Sequence, residues 1–292
     1  MFSYAEPVYR PPSEANSLIF QVTIGCSFNR CSFCDMYRNK QYLERKWEDI
    51  KEEIDLASKH LPEIRRIFLA DGDALNFSSG RLVQILEYLY KSFPSLERVS
   101  CYAMPKNLWE KSDDELQMLR RAGLSMLYLG IESGSNTILK KVTKGATAQG
   151  IIDACLKAKR NNYTLSCMII LGLGGKTYTE EHIRETAHVV SATSPDYLGA
   201  LSLYLDTGVK QEFHTKFREP FTQLDDQEIL DEIRRLVEQI DSEKPIVFRV
   251  NHASNPYPIG GTLPADKQKI LDEVARLQAH PELYRPKYLR RF

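Results

Sequence analysis

Ser17-Leu-Ile-Phe-Gln-Val-Thr-Ile24, running directly into Gly25-Cys-Ser-Phe-Asn-Arg-Cys-Ser-Phe-Cys-Asp35, is the stretch from which the 292-residue chain can be ordered. The first half is a β-rich apolar run that ends at a glycine, as a strand buried in a sheet does. The second half sets Cys26, Cys31 and Cys34 four and then two residues apart. That spacing lets one short loop wrap one face of a metal site. Three thiolates leave one corner of a cubane [4Fe–4S] cluster without a protein ligand, and such an open iron can act on a bound molecule. A fully ligated cluster usually only relays electrons. Zinc is the alternative metal, but it asks for four closed ligands. No second cysteine pair or histidine follows at zinc-finger spacing; the nearest histidine is His60, and Asp35 would have to be the fourth ligand. Thiols without metal are the remaining reading.

Working outward, short β-rich runs alternate with helical patterns to about residue 205. The strands expected are Ser17–Ile24, Arg65–Ala70, Arg98–Tyr102, Ser125–Ile131, Thr164–Leu171 and Tyr197–Leu205. Between them, Ser112-Asp-Asp-Glu115 and Thr177-Tyr-Thr-Glu180 fit a capping box, and Ser78-Ser79 can cap a further helix. Strand ends recur at the length of a βα unit. The expected fold is therefore α/β, a partial (β/α)6 TIM-like barrel, with chemistry at the C-terminal ends of its strands. Gly25, Asp71-Gly-Asp73, Gly130 to Gly134 and Gly172 to Gly175 all stand at such ends. Residues 1–16 read as an N-terminal extension, 17–206 as the core barrel, and 207–292 as a mainly helical C-terminal extension that caps it. In that extension Ile229, Ile233, Leu236, Val237 and Ile240 form one apolar stripe on a helix over 225–240, and a last helix covers 264–279.

Composition excludes several classes. Lys plus Arg equals Asp plus Glu at 39 each, so no net field draws the chain to polyanions, and nucleic-acid binding is disfavoured. No apolar run reaches the roughly 18–20 residues that span a bilayer, which speaks against a membrane partner. The N-terminus lacks the basic and apolar regions of a signal peptide, so a cytoplasmic location is expected. There, six cysteines do not make a disulfide framework. Cys101, Cys155 and Cys167 stand alone and read as small buried apolar residues. The basic tail from Arg285 to Phe292 reads as a solvated terminus.

The cysteine loop resembles that of the radical S-adenosylmethionine (SAM) superfamily, whose usual spacing is three residues and then two; this chain has one residue more between Cys26 and Cys31. Phe33 occupies the aromatic position that the resemblance places near the adenine of SAM. Ala70-Asp-Gly-Asp73 sits where the family carries a Gly-Gly-Glu-like segment for the SAM amino group, which makes Asp71, Gly72 and Asp73 cofactor candidates. An ordinary strand-to-helix turn is the plainer reading of those residues. Tyr128-Leu-Gly-Ile-Glu-Ser-Gly134, followed by Leu139-Lys-Lys-Val-Thr-Lys-Gly145, is similar to a fourth-strand signature shared by the elongator, methylthiotransferase and oxygen-independent coproporphyrinogen-oxidase branch. It implies that Glu132 and Ser133 lie near SAM. Ile169-Ile-Leu-Gly-Leu-Gly-Gly175 resembles the fifth-strand segment, where backbone at Gly172 and Gly174 approaches the adenine; glycine allows that approach. Gly174-Gly-Lys-Thr177 is too short a match for a phosphate loop. Asp206, Tyr102 and His252, with Thr207, His214 and Asn251, are the substrate-side candidates, and each also has a plain reading as a loop residue.

The resemblance implies a [4Fe–4S] cluster and SAM as cofactors, reductive cleavage of SAM to a 5′-deoxyadenosyl radical, and hydrogen abstraction from an unidentified small-molecule or peptide substrate. It also implies a low-potential electron donor such as flavodoxin or ferredoxin. With 16 residues before the first strand, the methylthiotransferase type with its own N-terminal cysteine-bearing domain is not expected. An iron–sulfur electron carrier and a zinc-bound interaction or RNA-binding module are the rival classes.

Overall fold

The expected first strand is two strands in the computed structural model, which describes residues 4–290. Strand β1 (Leu18–Gln21) lies in the main sheet, while β2 (Thr23–Ile24) turns away to pair antiparallel with β3 (Leu43–Glu44). Val22 is the switch: its N–H donates to Ala70 O (2.7 Å) and its carbonyl accepts from Arg45 N (3.0 Å). The cysteine loop thus leaves from a two-stranded ribbon.

Two compact units divide the chain. The first holds the described residues of Met1–Asn29, together with Met36–Leu129 and Leu156–Leu165. After β3 it continues through α1 (Trp47–His60), β4 (Arg66–Ala70), α2 (Ser79–Ser92), β5 (Arg98–Ala103), α3 (Pro105–Glu110), α4 (Asp113–Arg121) and most of β6 (Leu124–Glu132). Strands β1, β4, β5 and β6 pair in parallel in that order, with Phe20 beside Leu69 and Tyr102 beside Tyr128. Phe20, Ile67, Leu69, Val99 and Leu127 are buried on the sheet, and the helices bury apolar faces that include Ile54, Leu82 and Leu86. The capping box of α4 forms as expected: Glu115 N donates to Ser112 Oγ (3.1 Å) and Ser112 N to Glu115 Oε2 (2.8 Å). Ser78 takes the N-cap position of α2, but its side chain makes no capping bond, and Ser79 donates to Glu115 instead (2.8 Å).

The second unit holds Arg30–Asp35, Gly130–Cys155 and Ser166–Phe292 as far as they are described. Its elements are the end of β6, α5 (Asn136–Lys141), the first part of α6 (Ala148–Arg160), β7 (Thr164–Leu171), α7 (Gly175–Thr193), β8 (Tyr197–Ser202), α8 (Thr207–Phe217), α9 (Asp226–Gln239), β9 (Ile246–Arg249), β10 (Gly260–Leu263) and α10 (Lys267–Ala279). β7, β8 and β9 run parallel, and β10 closes antiparallel on β9. The C-terminal region therefore supplies strands as well as helices. The capping box expected at Thr177 does not form, because a turn with Gly175 N bonded to Gly172 O (3.0 Å) starts α7 two residues earlier. The stripe of α9 is buried as expected, and Asp225 with Glu228 forms a capping box there. The basic tail is not simply solvated: Arg290 makes a two-pronged ion pair with Asp226 (2.8 and 2.7 Å), and Arg285 N donates to Pro256 O (2.6 Å).

Among the described residues no helix is long and apolar enough to cross a membrane. None of the six cysteines forms a disulfide, and Cys101, Cys155 and Cys167 are buried.

Candidate functional site

In the first unit the site grows from Gly25, whose φ of +73° is a left-handed conformation that favours glycine. It delivers Cys26 at the end of β2. Ser27, the next residue, donates its hydroxyl to Asp73 Oδ2. Asp73 is wholly buried, and burial pushes its carboxyl up to about 6 against the opposing pull of Ser27, Asn107, Lys106 and Lys111. Its Oδ1 has no hydrogen-bond partner, and the nearby Asn107 amide nitrogen makes no well-formed bond to it. A buried carboxyl oxygen left this way asks for a donor.

Asp71, two residues earlier, is differently placed. Its Oδ2 accepts from Gln21 Nε2 (2.9 Å), Gly25 N (3.0 Å) and Lys40 Nζ (2.9 Å), all within the protein interior. Gly72 is needed for close packing, since a Cβ there would stand 2.4 Å from the Tyr37 ring. The extra residue of the cysteine loop also finds its reason here. Asn29 adopts a φ of +42°, donates to Tyr37 O (2.7 Å) and accepts from Arg38 Nη1 (3.0 Å), so the longer loop is closed on itself.

In the second unit Cys34 N donates to Cys31 O (3.1 Å), and Ser32 N to Val142 O (2.9 Å). Phe33 packs against a buried cluster of Ile138, Val142, Leu173, Leu203, Phe213 and Phe217, which anchors the end of the loop. Asp35 turns towards the first turn of α8, where a Cβ on Gly208 would lie 2.9 Å from its Oδ1. Glu132 has a φ of +62° and pairs with Lys144 (2.8 Å). Gly130 leaves room for that pair, because a Cβ there would meet Glu132 Oε1 at 1.8 Å and Lys144 Nζ at 2.9 Å. Burial alone would lower the Lys144 pKa, but Glu132, Cys31 and Cys34 outweigh it and the net shift is upward. The half-buried Lys144 thus keeps its positive charge in the folded chain. Lys144 lay inside the signature segment already quoted, yet no residue-level reading singled it out.

Other expected residues have structural work. Ser133 Oγ bonds His182 Nδ1 (2.8 Å) and accepts from Ser135 N (3.0 Å). Burial brings the His182 pKa down to about 4; its Nε2 lies 3.0 Å from Ile170 O, which assigns the proton to Nε2. Gly172 N donates to Glu232, and the space beside Gly174 is filled by Tyr178 and Ile138. Asp206 caps α8 through Gly208 N (3.2 Å), with Thr207 and His214 on that helix. His252 bonds Ser254 (2.9 Å) in the loop that begins at Asn251, and Tyr102 packs edge-on against Phe68 and Tyr128. Among the described residues no three His, Cys, Asp or Glu side chains are gathered tightly enough to hold a single metal ion.

The Radical SAM superfamily model matches residues 20–190. The chain belongs to the radical SAM superfamily. It is 29% identical over 197 residues to a tRNA-2-methylthio-N(6)-dimethylallyladenosine synthase of Bordetella avium (strain 197N), a match covering 62% of this chain and 40% of that protein. The chain thus spans about two-fifths of the length of that relative. Among solved structures it is similar to coproporphyrinogen III oxidase (HemN) from Escherichia coli, with a TM-score of 0.56, 16% identity, and coverage of 76% of this chain and 51% of that one. It is also similar to methylornithine synthase (PylB), with a TM-score of 0.55, 18% identity and coverage of 79% and 63%. At these identities the likeness is one of fold, the partial barrel expected from the strand pattern. Radical SAM proteins are enzymes that use a [4Fe–4S] cluster and SAM, and this chain is an enzyme of that family. The residues fit such a cluster: three thiols within nine residues, each partly exposed.

Proposed function

We propose that Cys26, Cys31 and Cys34 hold the cluster and that Asp73 receives the amino group of SAM. The observation that carries this reading is the buried Asp73 oxygen without a partner, on a carboxylate already tied to Ser27 beside Cys26. An ammonium would satisfy that oxygen and favour the charged carboxylate, offsetting the desolvation that raises its pKa. Glu132 supplies an acceptor for ribose hydroxyls, and Lys144 a cation for the SAM carboxylate. Phe33, Gly172 and Gly174 are assigned to the adenine side, where the Gly172 N–H is engaged by Glu232 and its carbonyl by Gly175 N. Ser133 acts by fixing the turn that carries Glu132. Asp71 and Gly72 shape the turn after β4.

When bound, the cluster and SAM supply a one-electron cleavage of a carbon–sulfur bond, giving methionine and a 5′-deoxyadenosyl radical for hydrogen abstraction. The protein's part is to orient SAM and exclude water. Tyr102, Asp206 and His252 are the groups assigned to a small-molecule or peptide substrate in a cytoplasmic setting, with a flavodoxin- or ferredoxin-type donor as reductant. Anaerobic reconstitution should load about four irons per chain, and SAM with dithionite should then yield 5′-deoxyadenosine. Replacing any one of Cys26, Cys31 and Cys34 by Ala should abolish both iron retention and the product. Iron without 5′-deoxyadenosine would make the chain an electron carrier, and tightly held zinc in place of iron would make it an interaction module.

A further inference from the structure

The geometry points to a buried latch, built on Lys40 and Asp71, that presets the start of the cysteine loop and ties it to the segment Tyr4–Tyr9. This rests on the loop being the cluster site. Lys40 uses all its donors inside the protein: Nζ bonds Ala5 O (2.6 Å), Pro7 O (2.5 Å) and Asp71 Oδ2 (2.9 Å). The side chains of the pair are 5% and 0% exposed. Gln21 closes the ring, accepting from Ala5 N (2.9 Å) and donating to Ala5 O (3.1 Å) and to Asp71 (2.9 Å). What the latch holds is Gly25. Its N–H donates to Asp71 Oδ2 (3.0 Å) and its carbonyl accepts from Gly72 N (3.1 Å). A Cβ on Gly25 would lie 3.3 Å from Lys40 Cβ and from Gln41 O, so the glycine is clasped on that side too. Tyr9 packs edge-on against Tyr37 (5.6 Å), the same ring that covers Gly72.

The residue directly before Cys26 is therefore fixed by a charge network made of protein groups. Asp71 is a positioning residue through its Oδ2; its Oδ1, like Asp73 Oδ1, is buried without a partner. The arrangement also gives the chain upstream of β1 a purpose: it supplies the carbonyls that complete the shell of a buried ammonium. Removing one partner of a buried pair strands the other charge, whereas replacing both with apolar side chains of similar size is close to neutral. That difference separates positioning from mere stability.

The test compares Lys40→Met, Asp71→Asn and the double variant K40M/D71L in the full chain. Amide exchange is followed without iron, and iron release to a chelator and the EPR spectrum of the reduced cluster after reconstitution. The single variants should lower the melting temperature and speed exchange in peptides covering 4–9 and 22–30 about tenfold. The double variant should recover most of the melting temperature while fast exchange at 22–30, faster iron release and a changed EPR spectrum persist, because Gly25 N–H still lacks its acceptor. Full recovery of exchange and EPR in the double variant would reduce the pair to a stability device and overturn the proposal. So would unchanged loop exchange in D71N combined with weakened SAM binding, which would make Asp71 a cofactor ligand. The exchange arm needs no cluster, so it fails or succeeds independently of the iron assignment.

Discussion

Asp71 and Asp73 stand two residues apart after the same strand, and their surroundings give them opposite tasks. Three donors, one of them a buried ammonium, saturate Oδ2 of Asp71, while Oδ2 of Asp73 meets the Ser27 hydroxyl; the Oδ1 of each is buried without a partner. Asp73→Asn should therefore leave iron loading intact and weaken SAM binding by about 10- to 100-fold, the worth of a hydrogen bond to a charged group. Equilibrium dialysis on the reconstituted protein measures it, and equal affinity of variant and parent would remove Asp73 from the site. The address of this pair was legible in the sequence, because a glycine between acids at a strand end marks a turn near the chemistry. Which acid faces a ligand was not legible. It depends on Lys40, 31 residues upstream, reaching Asp71, and no local pattern encodes that reach. The same holds for Lys144, whose meaning comes from the ion pair with Glu132 across the left-handed turn at that residue.

At the scale of elements, alternation, long apolar stripes and the start of α4 were readable, while short strands and the start of α7 were not. Thr164–Leu171 stands as expected because its inward and outward residues alternate between a helix and a glycine turn. β9 and β10, of four residues each, carry too little pattern to separate from a loop. One signal in α9 could have been read further: Glu232 interrupts a stripe of Ile229, Ile233 and Leu236, and an acid in an apolar face must be satisfied or neutral. It accepts from Gly172 N and Thr179 Oγ1 (3.0 Å), stapling α9 to the turn after β7, and burial pushes its pKa up to about 7. In the folded chain this carboxyl holds its proton where an unfolded one, at 4.5, has lost it. Its contribution to stability is whole below 4.5 and is lost as pH rises through 7. Glu232→Gln stays neutral and keeps an acceptor for Gly172. It should match the parent at pH 4 and exceed it at pH 8 by up to about 3 kcal/mol, the upper bound that the shift allows. Urea titrations at the two pH values decide it, and a parent more stable than the variant at pH 8 would refute it.

For the whole molecule, the question is whether the residues before β1 are an appendage or part of the framework. Residues 1–16 read in the sequence as an extension, since nothing in them has strand or helix periodicity. Their described part is nevertheless bound to the sheet of the first unit by its most buried acid. Glu14 is 0% exposed and accepts from Arg98 Nη2 (2.8 Å), Ser100 Oγ (3.0 Å), Tyr128 Oη (2.6 Å) and the Ser17 hydroxyl. Those donors come from β5, β6 and the entry to β1, so one carboxylate joins the segment to three strands. Tyr128 in turn packs against Phe68 and Tyr102, which carries the contact into the aromatic core. Glu14→Ala would leave Arg98 without its counter-charge and take an acceptor from three buried hydroxyls. The expected cost is about 3–5 kcal/mol, the usual loss when one member of a buried pair is removed. Glu14→Gln, which keeps the shape and one acceptor, should cost less than Ala. A shift of the urea midpoint reads both, with amide exchange in β5 and β6 rising in step. A change within about 0.5 kcal/mol for Glu14→Ala, the range of an ordinary surface substitution, would show that the segment only lies on the sheet and does not help to hold it.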